Sequence, residues 1–142
     1  DELAFWNDEL IREGALVTWR RQGVMQDLGR SCAEHHSQLA GPDEEFEVSY
    51  QPSVPVGDSL EDTESRFRES LEAASRRERA TGSTAVGPHR DDFGLLINGV
   101  DMGTFASRGQ ARTLALSLRL AEASYLDSAR GEGPIVLLDD VL

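Results

Sequence analysis

The sequence predicts an α/β protein, and three stretches carry that reading. Leu3, Trp6, Leu10, Val17, Met25, Leu28, Cys32 and Leu39 recur at steps of three, four or small multiples, the spacing of one helical face. Glu45 to Val54 alternates, with Phe46, Val48 and Tyr50 on one side and Glu47, Ser49 and Gln51 on the other, as in a strand with one wet face. Ile135 to Leu138 is an apolar run that ends in Asp139 and Asp140. It reads as a central parallel strand delivering two carboxylates at its C-terminal edge, where open α/β sheets bind ligands.

Composition narrows the possibilities. The 142 residues suit a one-domain length and are enough to bury a core. No run approaches a membrane span, and no secretory leader opens the chain, so a cytoplasmic location is expected. The single cysteine, Cys32, cannot form an internal disulfide and reads as a small buried apolar residue. The formal net charge is −12, and the excess of acids lies mainly before residue 80, which argues against this stretch alone being a good nucleic-acid binder. There is no lysine, so a phosphate loop of the G-x-x-x-x-G-K-[ST] type is impossible within these residues. Asp1 is not an initiator methionine and Leu142 stops just past the expected strand, so a fragment is expected.

Taken in order, the first helix ends near Gly41-Pro42. Gly14, Gly23 and Gly29 each cost about 1 kcal/mol relative to Ala, so a bend or interruption is expected there. His35 and His36 are adjacent and face different sides of a helix, unlike a metal pair, and read as surface or rim residues. The strand near 45–51 is closed by Pro52 and Pro55. Asp58 or Ser59 caps a second helix over 59–80, with Glu61 and Asp62 in its first turn. Its thin apolar stripe (Leu60, Phe67, Leu71, Ala74) is flanked by arginines that read as a solvated face with i,i+4 pairs. Ser83 to Val86 suggests a short strand, and Gly87 to Asp92 a polar turn locked by pairing of Arg90 with an aspartate. Phe93 to Ile97 and Val100 to Phe105 flank Asn98-Gly99, a strong hairpin signal. Residues 1–80 therefore read as a helical lobe, and residues 81–142 as the packed α/β part.

The chemistry concentrates at two places. Ser107-Arg108-Gly109-Gln110 opens a long apolar helix, whose N-terminal N–H groups and dipole suit a phosphate. Gly109 would let a ligand approach the backbone. On the tetrapeptide alone, an ordinary capping box by Ser107 and Gln110 accounts for it equally well. The helix is apolar on more than one side, with Leu114, Leu118, Ala121 and Tyr125 on one face and Leu116 and Leu120 on another, so burial between layers is expected. Asp139 and Asp140 are adjacent on a strand and point to opposite faces, so their roles should differ: one can hold Mg²⁺ and the other can orient a water.

The order GPHRDD, INGV, FASRGQARTLALSLRLAE and PIVLLDDVL closely resembles the RecF family, bacterial recombination-repair proteins with an SMC-like ABC ATPase head. The match is dense from Gly87 to Leu142. The earlier part, including Tyr50-Gln51-Pro52-Ser53, looks like the helical lobe and its return into the head.

The resemblance implies a partial ABC-type head, of the P-loop NTPase class, with part of a helical lobe. It implies that Ser107, Arg108, Gly109 and Gln110 form the signature motif, which meets the γ-phosphate of ATP held by the other subunit. Asp139 then matches the Walker B aspartate that supports Mg²⁺, and Asp140 the catalytic position where many relatives carry Glu. The Walker A loop would lie outside these residues. The whole protein is expected to form an ATP-dependent homodimer on double-stranded or gapped DNA, with a RecR-type loading partner, in recombinational repair and replication-fork recovery. A slow ATPase is implied, inactive in this piece alone. The alternative is a non-catalytic interaction module of a larger repair or SMC-like protein. A two-metal nuclease would need further acids converging on Asp139 and Asp140, and none shows the spacing.

Overall fold

The computed structural model describes residues 2–131 and 133–139. Four helices and three strands run in the order α1 (Glu2–Ala40), β1 (Phe46–Gln51), α2 (Leu60–Thr81), a 3₁₀ turn (Pro88–Arg90), β2 (Asp92–Ile97), β3 (Val100–Asp101), α3 (Met102–Phe105) and α4 (Arg108–Arg130). The strands form one sheet in the order β1-β2-β3, with β2 and β3 antiparallel and Ile97 opposite Val100. Two compact units are each assembled from separate stretches: Asp1–Val24 with Tyr50–Phe93, and Met25–Ser49 with Gly94–Leu142. The contiguous division at residue 80 and these interleaved units differ because α1 and the first two strands contribute to both.

In the first unit, Ile11, Ala15, Val54, Phe67 and Leu71 form the core, with Leu10, Leu60 and Val86 packed against it. Here α1 and α2 can approach closely because Gly14 has no side chain: a Cβ there would lie 2.7 Å from Cζ of Phe67. The predicted interruption of the first helix does not occur; α1 is continuous for 39 residues. Tertiary packing of this kind outweighs the propensity cost of a helical glycine.

Ser59 caps α2 by accepting the Asp62 N–H at 3.1 Å, and Gly82, at φ 67°, closes it in the left-handed conformation that glycine adopts without strain. Residues 83–86 form bends and not a strand. The turn that follows is held differently from the expected Arg90–aspartate pair. Arg90 donates from Nε and Nη2 to the Thr84 carbonyl, at 3.1 and 3.0 Å. The aspartate that locks the turn is Asp91, only 3% exposed, which accepts from the Ser53 N–H at 2.8 Å, the Tyr50 hydroxyl at 2.5 Å and Arg21 Nη1 at 3.4 Å. Of the α2 arginines, Arg66 makes the expected i,i+4 pair with Asp62, whereas Arg68 reaches Asp8 on α1.

In the second unit the core is Cys32, Phe46, Ile97, Met102, Leu114 and Ala121, with Leu28, Val48, Leu95, Ala106 and Leu118 alongside. The hairpin forms as expected at Asn98-Gly99, where both residues have positive φ (51° and 77°) as a type I′ turn requires. Its second strand is only two residues long, because Asp101 turns the chain into α3 by accepting the Gly103 N–H and the Thr104 hydroxyl, at 3.0 and 2.8 Å. His36, expected at the surface, is fully buried. Helix α4 buries one face only, through Leu114, Ser117 and Ala121; Leu116 and Leu120 are half-buried.

The expected strand at Ile135–Leu138 is absent. Residues 133–139 have no regular structure, and Ile135 and Leu137 are 91% and 90% exposed. A strand exists only through a ladder with a neighbour, and among the described residues none pairs with this run.

Candidate functional site

The N-terminal end of α4 is the best-defined candidate site. Ser107 stands in extended backbone just before the helix, and its hydroxyl accepts the Gln110 N–H at 3.2 Å. Gln110 Oε1 accepts the Ser107 N–H in return, at 3.1 Å. This reciprocal capping box satisfies two of the four N–H groups that an α-helix leaves without intrahelical partners. Those of Arg108 and Gly109 remain, aimed off the end of the helix where its dipole favours an anion.

Arg108 and Gly109 are exposed. A Cβ built on Gly109 would meet nothing within 4 Å, so nothing within the chain requires glycine there. Two accounts were open from the tetrapeptide, a cap and a phosphate contact. The capping box is present, and it leaves two donors and a bare backbone free beside it, so the two accounts are compatible.

Asp139 is exposed, beyond the end of α4. Asp140 lies outside the described residues. Among the described residues no group of three or more His, Cys, Asp or Glu side chains converges to hold a metal ion. A lone carboxylate still suits Mg²⁺ in its donor chemistry, since that ion commonly takes one or two protein carboxylates and fills its sphere with water and phosphate oxygens. No helix of the described residues is long and apolar enough to cross a membrane.

Two polar constellations were not anticipated. One is the Asp91 cluster. The other joins α1 to α4: His36 Nε2 lies 2.9 Å from Glu44 Oε2 and its Nδ1 3.3 Å from Ser117 Oγ, while His35 Nε2 lies 3.0 Å from Ser124 Oγ. The available signal was Ser117 itself, a hydroxyl set among the leucines of a helix otherwise apolar on that face.

No family model matches the chain. Individual relatives do. The chain is 40% identical over 141 residues to the DNA replication and repair protein RecF of Synechocystis sp. (strain PCC 6803), covering 99% of this chain and 37% of that protein. It is 39% identical over 142 residues to the protein of the same name from Cyanothece sp. (strain PCC 7425), again over 99% of this chain and 38% of the relative. Among solved structures, that of the recombination mediator protein RecF with ATP in the RecFOR pathway superposes with a TM-score of 0.91 at 33% identity, over 99% of this chain and 38% of that one.

The capped apolar helix following a hairpin, in a fold shared with an ATP-bound structure, defines the class: part of an α/β ATPase head of the ABC type. Within that class, the stretch is similar from end to end to RecF. The chain spans about 38% of the length of the curated relatives that it matches.

Proposed function

We propose that these residues form the signature-bearing part of a RecF-type recombination mediator, whose whole protein binds ATP, dimerises around it and acts on DNA in repair and replication-fork recovery. The observation that carries the reading is the N-terminal end of α4. Its capping box leaves the Arg108 and Gly109 N–H groups unused beside an exposed glycine, within a fold that superposes at 0.91 on an ATP-bound RecF.

In this reading the γ-phosphate, held by a second subunit, docks on those N–H groups. Ser107 and Gln110 keep them preorganised, so no reorganisation is needed when charge develops. Gly109 allows the close approach, and Arg108 adds a cation at the same end. Asp139 would supply one hard oxygen to Mg²⁺, which in turn neutralises phosphate charge. Asp140 would orient the attacking water. Residues 1–80 would belong to the helical lobe and 81–142 to the head. The phosphate loop would come from another part of the protein, since these residues contain no lysine. DNA, double-stranded or gapped, a RecR-type partner and a cytoplasmic setting complete the proposal.

The test is Ser107→Arg in the RecF-length protein. A guanidinium and its stem at the cap would fill the space that the phosphate needs. ATP-dependent dimers, read by analytical ultracentrifugation, should disappear while circular dichroism is unchanged. Dimers that persist at the wild-type affinity would rule the reading out, leaving the interaction-module alternative.

A further inference from the structure

We infer that His36 is a buried imidazolium latch that fixes helix α4 against α1, and that it is a positioning residue for the Ser107–Gln110 end of that helix. The argument begins with counting protons. Ser117 Oγ lies 2.8 Å from the Thr113 carbonyl of its own helix, and a carbonyl only accepts. The single Ser117 hydroxyl proton is therefore committed there, and Oγ faces His36 Nδ1 as an acceptor, so Nδ1 donates. On the other side of the ring, Nε2 meets the Glu44 carboxylate at 2.9 Å, and a carboxylate also accepts. An imidazole that donates from both nitrogens is a cation.

The surroundings suit that charge. His36 is fully buried, and a buried cation needs a paired and hydrogen-bonded partner, which Glu44 provides. The Phe46 ring lies with its centroid 5.0 Å away, within the range at which an aromatic ring attracts a cation. The titratable groups around the ring are Glu44, from the loop before β1, and Cys32, one turn back on α1. Helix α4 presents only the Ser117 hydroxyl and the Thr113 carbonyl, and β1 presents Phe46.

The latch has a second point. His35 reaches Ser124, two helical turns beyond Ser117, or about 10 Å along α4. Two adjacent histidines on α1 thus hold one face of α4 at separated places, which sets both its rotation and its axial position. Ser117 is about 15 Å along the same rigid helix from Ser107. A neutral His36 keeps one donor only. It must release either Ser117 or Glu44, and α4 loses one point of attachment. The link to nucleotide-dependent dimerisation rests on the function proposed above; the charge state of the ring does not.

The experiment uses the RecF-length protein with ¹⁵N-labelled histidine. At pH 7, the His36 ring, assigned by its disappearance in His36→Gln, should show both nitrogens protonated. A neutral tautomer at pH 7 would overturn the latch. In parallel, dimerisation with ATP is followed from pH 6.5 to 9. Wild type should weaken about tenfold as the ring loses its proton, the equivalent of one charge-assisted hydrogen bond. Glu44→Gln should move that loss to lower pH, and His36→Gln should abolish the dependence. Unchanged profiles in both variants would overturn the positioning role. Persistence of dimers in Ser107→Arg would instead sink the ATPase reading, and the ring spectrum would still decide the latch.

Discussion

Gly14 and Phe67 occupy one another's space: a Cβ on the glycine would stand 2.7 Å from Cζ and 2.8 Å from Cε2 of a fully buried ring. This contact explains why a 39-residue helix keeps a residue that weakens helices. Gly23 has no such reason, since nothing lies within 4 Å of its Cβ direction.

The two glycines should therefore respond in opposite ways to alanine. Gly14→Ala gains helix propensity but overpacks the ring, for a net loss of about 1–2 kcal/mol. Gly23→Ala should stabilise by about 1 kcal/mol. Urea denaturation of the two variants beside wild type measures both; equal shifts would contradict the packing account.

The Asp91 carboxylate is the sole acceptor found for the Ser53 N–H and the Tyr50 hydroxyl among the described residues. Asp91→Ala should cost about 2–4 kcal/mol, because two partly buried donors lose their partner together. Burial, reinforced by Asp91, pushes the Tyr50 phenol up to about 12 from its ordinary 10. A group raised in the folded state contributes stability that is intact below pH 10 and is lost as pH rises through about 12. Alkaline unfolding should show this slope in wild type, and Tyr50→Phe should lack it.

At the α4 cap, stability and function should separate. Ser107→Ala removes the acceptor for Gln110 and should lower stability by about 1 kcal/mol. Gly109→Ala meets no atom of the chain and should leave stability unchanged or slightly raised. If a phosphate approaches that backbone, Gly109→Ala should nonetheless weaken ATP-dependent dimers at least tenfold. Thermal melts and sedimentation on the same samples make the comparison.

Burial alone pushes the Cys32 thiol up to about 11 from 9.0. The thiolate is the reactive form, so Cys32 should react with Ellman's reagent at neutral pH only as fast as the unit opens. Labelling should accelerate sharply in denaturant, at the same midpoint as the circular dichroism transition. Rapid labelling in buffer would contradict the core position.

Much of the site was legible locally. Capping depends on residues three apart, so Ser107 and Gln110 announced their geometry in the sequence. Asn98-Gly99 announced the hairpin for the same reason, since positive φ at both positions is a property of those two residues. The Ile135–Leu138 run was misread because its apolar alternation-free pattern describes what a strand would need, not whether a neighbour is present to pair with it.

What the sequence alone determined is what short-range sterics and hydrogen bonding decide: helix α2 and its cap, the I′ turn, the capped start of α4, and, through the missing lysine, the absence of a phosphate loop from these residues. Tertiary structure decided the rest. Gly14 stays helical because Phe67 fills the space above it; His36 is buried because Glu44, Ser117 and Phe46, distant in the chain or across a turn, supply its partners. Asp91, not Arg90, locks its turn because Ser53 and Tyr50 arrive from β1 and the loop beyond. Those outcomes depend on which surfaces meet, and desolvation then makes each unpaired polar group too costly to leave unmatched.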